Sequence, residues 1–197
     1  EVTDLVASTL ATDGAPTVLI GQDPNWEAFS SVDTDNIQGG YEAGRHLCDL
    51  GYDEVGLMLG SLDLEESTHR RRGVERALDE VSDRHIAEGD YSQESGYAIA
   101  QTWIEQGTMP QALFCASDTM AMGALLALNE ADYRVPDDVA VVGFDDLPAA
   151  QYTIPPLTTV RQPVHEKAQT AIDLLIDQIE DPEADPVHRE LEPELAV

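Results

Sequence analysis

Two adjacent carboxylates, Asp145 and Asp146, end the apolar run Val139–Phe144. A run that is apolar almost throughout suits a parallel strand buried on both faces. Acids at the carboxyl end of such a strand stand where open α/β sheets hold their ligands. Other polar residues follow other strand-like runs. Ser117 and Asp118 follow Ala112–Cys115, Arg70 lies past the loop after Val55–Leu59, and Tyr91 follows a short run near His85. Parallel strands bring these ends together along one edge. A carboxylate accepting from hydroxyls, an arginine fork and an aromatic face together suit a small polyol or sugar.

Each of these residues also has a plainer role. The two aspartates fit a turn, Asp146 more so than Asp145. Arg70–Arg72 fits a solvated helix start, Tyr91 fits a half-buried ring, and Ser117 is a natural N-cap in any case. Catalytic signatures are missing from the sequence. It contains no Gly-x-Ser-x-Gly elbow, phosphate loop or His-Glu-x-x-His. Asp33-x-Asp35 lacks the third acid and the glycine of a calcium loop. Of the five histidines only His69 neighbours hydroxyls, at Ser67 and Thr68, and no acid completes a triad. The expectation is a binding protein, not an enzyme, with no metal and no cofactor.

The elements that carry these residues alternate. Pro16–Ile20 reads as a short strand and Gln22–Ser31 as loop. Asn36–Leu50 is helical, with Gly40, Ala43, Leu47 and Leu50 at i+3 and i+4 spacing, closed by Gly51. Strands follow at Val55–Leu59, near His85–Ala87, at Ala112–Cys115, Val139–Phe144 and Leu157–Val160. Helices are expected over Thr68–Val81, Ser92–Glu105, from Ser117 to about Leu128, and from Val164 through Ile179. A last strand is placed near Arg189–Glu192, stopped by Pro193. Val2–Thr12 reads as a helix end and loop, and Trp26 sits in a polar loop. Such alternation predicts an α/β fold with a parallel sheet covered on both faces.

Composition narrows the function classes. The 197 residues hold 39 acids against 10 bases, a net charge of −29, with Lys167 the only lysine. Such a surface repels nucleic acid and anionic membrane. DNA binding, if any, would belong to a part outside this sequence. No apolar run approaches the roughly 20 residues of a membrane span. Cys48 and Cys115 read as buried free thiols in a reducing, cytoplasmic compartment.

The segment Val141–Pro163, VVGFDDLPAAQYTIPPLTTVRQP, closely resembles a signature of the lactose/galactose repressor (LacI/GalR) family. Arg70-Arg71-Arg72-Gly73 is similar to the family's Arg-x-x-Gly. Ala116-Ser117-Asp118 with Met120–Ala124 is similar to its Asn-Asp-x-x-Ala-x-Gly-Ala helix start. Asp33-Thr34-Asp35-Asn36 with Gly39 resembles its crossover between subdomains. The resemblance implies a periplasmic-binding-protein-like fold of two doubly wound subdomains, the N-terminal one incomplete here. It divides the chain into 1–33 with 163–188, and 34–162 with 189–197. Implied effector contacts are Arg70, Asp145, Tyr91, Ser117, Thr34 and Gln162, around a sugar-like ligand held between the subdomains. A homodimer with Ala149–Pro156 near its contact is implied as well, acting on operator DNA only through a helix-turn-helix headpiece that this sequence lacks. Two departures from the family pattern leave the effector open: Ser117 replaces the common asparagine, and Gly21 stands where some sugar-binding relatives carry an acid. A periplasmic-type sugar-binding protein of a transport system shares the fold and is the alternative.

Overall fold

The computed structural model describes residues 14–21, 28–78 and 81–197. Val2–Thr12 and Trp26 therefore lie outside the described residues. The chain forms two compact units, one of residues 1–35 and 163–192, the other of 36–162 and 193–197.

The first unit holds a three-stranded parallel sheet of β1 (Val18–Ile20), β2 (Ser30–Thr34) and β8 (His188–Leu191), in the order β1-β2-β8. Helix α5 (Val164–Glu180) packs on β1 and β2. Strand β2, Ser-Ser-Val-Asp-Thr, is buried at all five positions. Ser30 and Ser31 belong to the stretch Gln22–Ser31 that reads as loop from its polarity and Pro24, yet they are part of this strand. Its polar groups are instead satisfied internally, as burial demands. Ser31 Oγ meets His188 Nδ1 at 2.9 Å, and the single lysine, Lys167, reaches Asp33 Oδ1 at 3.1 Å. The pairing of β2 with β8 also moves two expected boundaries. Thr34 pairs with Leu191, so Thr34 and residues 189–192 belong to the first unit, not the second. Pro193 has no N–H to continue the ladder, and the chain crosses there.

The second unit is a six-stranded sheet in the order β4-β3-β5-β6-β7-β9. Its strands are β3 (Val55–Leu59), β4 (Ile86–Glu88), β5 (Ala112–Cys115), β6 (Ala140–Asp145), β7 (Thr158–Arg161) and β9 (Glu194–Ala196). All pair in parallel except β9, which runs antiparallel to β7 and which the sequence did not announce. Period-2 alternation sends side chains to both faces. Leu57, Leu59, Phe114, Val142 and Phe144 join Leu47 of α1 (Asn36–Asp49) and Val74 of α2 (Glu65–Ala77). Met58, Leu113, Cys115 and Val141 join Trp103 of α3 (Gln93–Gln106) and Met120 of α4 (Asp118–Glu130). Both faces are thus apolar, which explains the continuous hydrophobic runs. Helix α2 starts three residues earlier than Thr68 and ends at Ala77, so Val81 lies beyond it. Cys115 is buried, whereas Cys48 is exposed near the end of α1, contrary to expectation.

Helices α3 and α4 approach closely through glycine. A Cβ at Gly123 would collide with the carbonyl oxygen of Gln93, and one at Gly96 with that of Met120. Gly123→Ala is therefore expected to force the two helices apart and cost about 1–3 kcal/mol, read as a lower urea midpoint. An unchanged midpoint would show that the helix pair can yield. Among the described residues no helix is long and apolar enough to cross a membrane, and no group of three His, Cys, Asp or Glu is placed to hold a metal.

Candidate functional site

The carboxyl ends of β3, β4, β5 and β6 surround a cavity of about 240 Å³ in the second unit. Glu66, Arg70, Tyr91, Ser117, Thr119 and Asp145 line it. Four of the six residues expected at the site are thus brought together. Gln162 joins them through a 2.7 Å hydrogen bond from Nε2 to Asp145 Oδ1. Thr34 is buried in the first unit, at the end of β2. Glu66 and Thr119 were not anticipated.

Arg70 is the most constrained of these residues. It rises from α2 and is only 6 % exposed. Its Nε donates to Asn36 Oδ1 at 2.8 Å and its Nη1 to the Ala116 carbonyl at 2.5 Å. Nη1 also stands 3.8 Å from Asp145 Oδ1, and the guanidinium carbon lies 3.8 Å from the centre of the Phe144 ring. That geometry combines a fork of directed donors with a cation–π contact. Arg70 therefore ties α1, β5 and β6 together beneath the cavity.

Three side chains are presented from strained backbone. Tyr91, Asp145 and Asp146 have φ of 65°, 118° and 55°, a region that non-glycine residues rarely adopt. Two of the three line the cavity, and such outliers cluster at functional sites. The Tyr91 ring lies against Gly60, where a Cβ would collide with the hydroxyl end of the ring. Its hydroxyl is buried, and burial pushes its pKa up, partly opposed by the Arg70 charge and by the nearby Ser67 hydroxyl. Asp146 turns away to Arg161, whose Nε donates to its Oδ2 at 2.6 Å, and its own N–H donates to Thr159 Oγ1. It holds the turn, leaving Asp145 for the cavity.

Ser117 caps α4, accepting from the Met120 N–H at 3.2 Å. Ser117→Ala should cost about 1 kcal/mol in chemical denaturation, while Ser117→Asn keeps the cap and the stability. Equal losses in both variants would contradict the capping role. Behind Ser117 stands Asp118, fully buried, whose two oxygens accept from Thr159 Oγ1 and the Leu147 N–H. Burial is the main cause that pushes its pKa up to about 6.

Comparison with known proteins defines the class first. Residues 45–197 match the periplasmic binding protein-like domain. A regulatory protein of the LacI family from Chloroflexus aggregans is 30% identical, with a TM-score of 0.88 over 96% of this chain and 70% of that one. The chain belongs to the LacI family of regulators. A complex of the transcriptional regulator CelR with cellobiose is 33% identical with a TM-score of 0.89, over 95% of this chain and 59% of that one. The transcriptional repressor PurR of Escherichia coli O1:K1 is 38% identical over 172 residues, 85% of this chain and 50% of its own. The chain thus spans about half the length of the curated relatives it matches. All three relatives are regulators, which favours the regulator over the transport-protein alternative.

Proposed function

We propose that this chain is the effector-sensing core of a cytoplasmic transcription regulator, and that a small sugar-like molecule is its signal. The observation that carries this reading is the convergence of Arg70, Tyr91, Ser117 and Asp145 on one cavity. Asp145 accepts from ligand hydroxyls, Tyr91 offers a ring face, and Ser117 keeps its own proton to donate. A cavity of about 240 Å³ falls below the roughly 300–1,000 Å³ of drug-sized sites, which suits a small ligand. The cellobiose bound to CelR supports a sugar.

The chain passes between its two units after Asp35, Gln162 and Glu192. Gln162 sits at one of these passages and bonds to Asp145. A ligand that engages Asp145 acts directly on a crossover residue. It biases whichever conformation it binds better, by its difference in affinity for the two. Thr34 lies beside another passage, one residue before Asp35. Operator DNA is reached only through a DNA-binding part, because the core itself carries 39 acids against 10 bases.

A second copy of the chain is the expected partner. The segment Ala149–Pro156 presents Tyr152 and Ile154 at 78% and 94% exposure, the kind of apolar surface that an interface covers. A thermal-shift screen of sugars and nucleosides, repeated with Asp145→Ala, tests the sensing role. Stabilisation by a sugar that the substitution abolishes is expected. A hit unaffected by it would remove Asp145 as the anchor. A secretion signal encoded upstream, in place of a helix-turn-helix, would overturn the regulator reading.

A further inference from the structure

We propose that Glu66 makes this pocket exclude anions, so that the effector is an uncharged or amine-bearing polar molecule and not a sugar phosphate or sugar acid. The inference rests on the reading of this cavity as the effector site. Three charged residues line it, Glu66, Arg70 and Asp145, which gives two carboxylates against one guanidinium. The guanidinium is buried and largely committed within the protein. Its Nε and Nη1 are committed to Asn36 and the Ala116 carbonyl, and its central carbon lies 3.8 Å from the centre of the Phe144 ring. An anion entering the cavity would find that cation already shared with Asp145.

The Glu66 side chain makes no hydrogen bond and no ion pair among the described residues. Its neighbours on α2 are paired: Glu65 stands 3.5 Å from His69 Nε2, and Glu75 accepts from Arg71 Nε at 2.7 Å. Glu66 is half-buried, one helical turn before Arg70 on the same face. Its charge adds, behind the larger effects of burial and Arg70, to the upward push on the Tyr91 hydroxyl. Next to the lining in the chain, Asp118 adds a further acid, whereas Asp146 is offset by its ion pair with Arg161. A carboxylate that gives nothing to its own fold and faces a cavity offers an acceptor to ligand N–H or O–H groups. It repels a phosphate or carboxylate in the same place, since like charges brought together suppress wrong partners strongly.

Inorganic phosphate is the probe, because its binding can be read without knowing the effector. Phosphate affinity is measured by 31P line broadening at matched ionic strength for the wild-type protein, Glu66→Gln and Glu105→Gln. Glu105 is an exposed acid on α3 outside the cavity, so its substitution removes the same charge elsewhere. Glu66→Gln is expected to bind phosphate at least about tenfold more tightly than wild type, and Glu105→Gln to match wild type. Three results would overturn the proposal. Wild type could bind as well as Glu66→Gln, Glu105→Gln could gain as much, or phosphate could fail to bind Glu66→Gln at all. Each outcome is independent of whether any sugar binds, so failure here is separable from failure of the effector-site reading.

Discussion

Arg70→Ala is expected to abolish ligand stabilisation and to lower the folding stability by about 3 kcal/mol. The two losses share one cause. Arg70 is buried, and it joins the side chain of Asn36 at the start of α1, the Ala116 carbonyl after β5 and the Asp145 carboxylate at the end of β6. Truncation leaves a buried carbonyl and an amide oxygen short of a donor, and an unsatisfied buried acceptor costs its full desolvation. It also removes the partner that faces Asp145 and the cation above Phe144. The cost is not larger because the Asp145 side chain stays 22% exposed, and water takes over part of its solvation. Arg70→Lys is expected to recover little of either property. A single ammonium cannot point donors at Asn36 and Ala116 at once, whereas the guanidinium fork does so without strain. Urea denaturation gives the stability, and titration with a stabilising sugar found by the screen gives the binding. An Arg70→Ala protein with the wild-type midpoint would show that Arg70 is not a strut of the fold. An unchanged affinity would remove it from the site.

Much of this arrangement was legible in the sequence because strand and ligand signals coincide. The runs Val55–Leu59, Ala112–Cys115 and Val139–Phe144 are apolar on both faces, and the residues just past them meet at one edge, as a parallel sheet requires. That logic places Asp145, Ser117, Arg70 and Tyr91 together. It did not find Glu66, because the apolar pattern of α2 becomes visible only near Thr68, while the helix starts at Glu65. Had the helix been extended by one turn, Glu66 would have fallen one turn before Arg70 on the same face. Strand β2 was hidden for a different reason. Its burial is satisfied by Lys167 and His188, more than 130 residues away in the chain, and no local pattern encodes such partners. Strand β9 depends likewise on the distant β7 for its pairing. Cys48 shows the limit of composition: an apolar helix neighbourhood does not say which side of the helix a residue occupies.

Asp118→Asn is expected to stabilise the protein at pH 7 by about 1–2 kcal/mol, an unusual outcome for a fully buried acid with two hydrogen bonds. The native carboxyl is displaced from 3.8 to about 6, first by burial and further by the charges of Asp145 and Asp146, against the pull of Thr159 and Leu147. The sign follows from where the proton sits. Between about pH 4 and 6 the folded protein keeps a proton that the unfolded chain has released. The stability tied to this group is therefore complete below pH 4 and is lost as pH rises through 6. The displacement corresponds to about 3 kcal/mol at neutral pH. An asparagine removes that penalty while its oxygen still accepts from the Leu147 N–H. Two effects reduce the gain. The N-terminal turn of α4 loses an anion that the helix dipole favours. The Thr159 hydroxyl, which already accepts from the Asp146 N–H, loses the acceptor for its own proton. The measurement is the urea midpoint of both proteins from pH 4 to pH 8. Wild type should lose stability between pH 4 and 6 more steeply than Asp118→Asn, and the two curves should cross as the pH rises. A variant less stable than wild type at pH 7, or one with the same slope, would mean that the two hydrogen bonds outweigh the burial of the charge. Asp118 binds the Ser117 helix start to the turn that carries Asp145. If the crossing appears, this frame behind the pocket is held at a cost in stability at neutral pH.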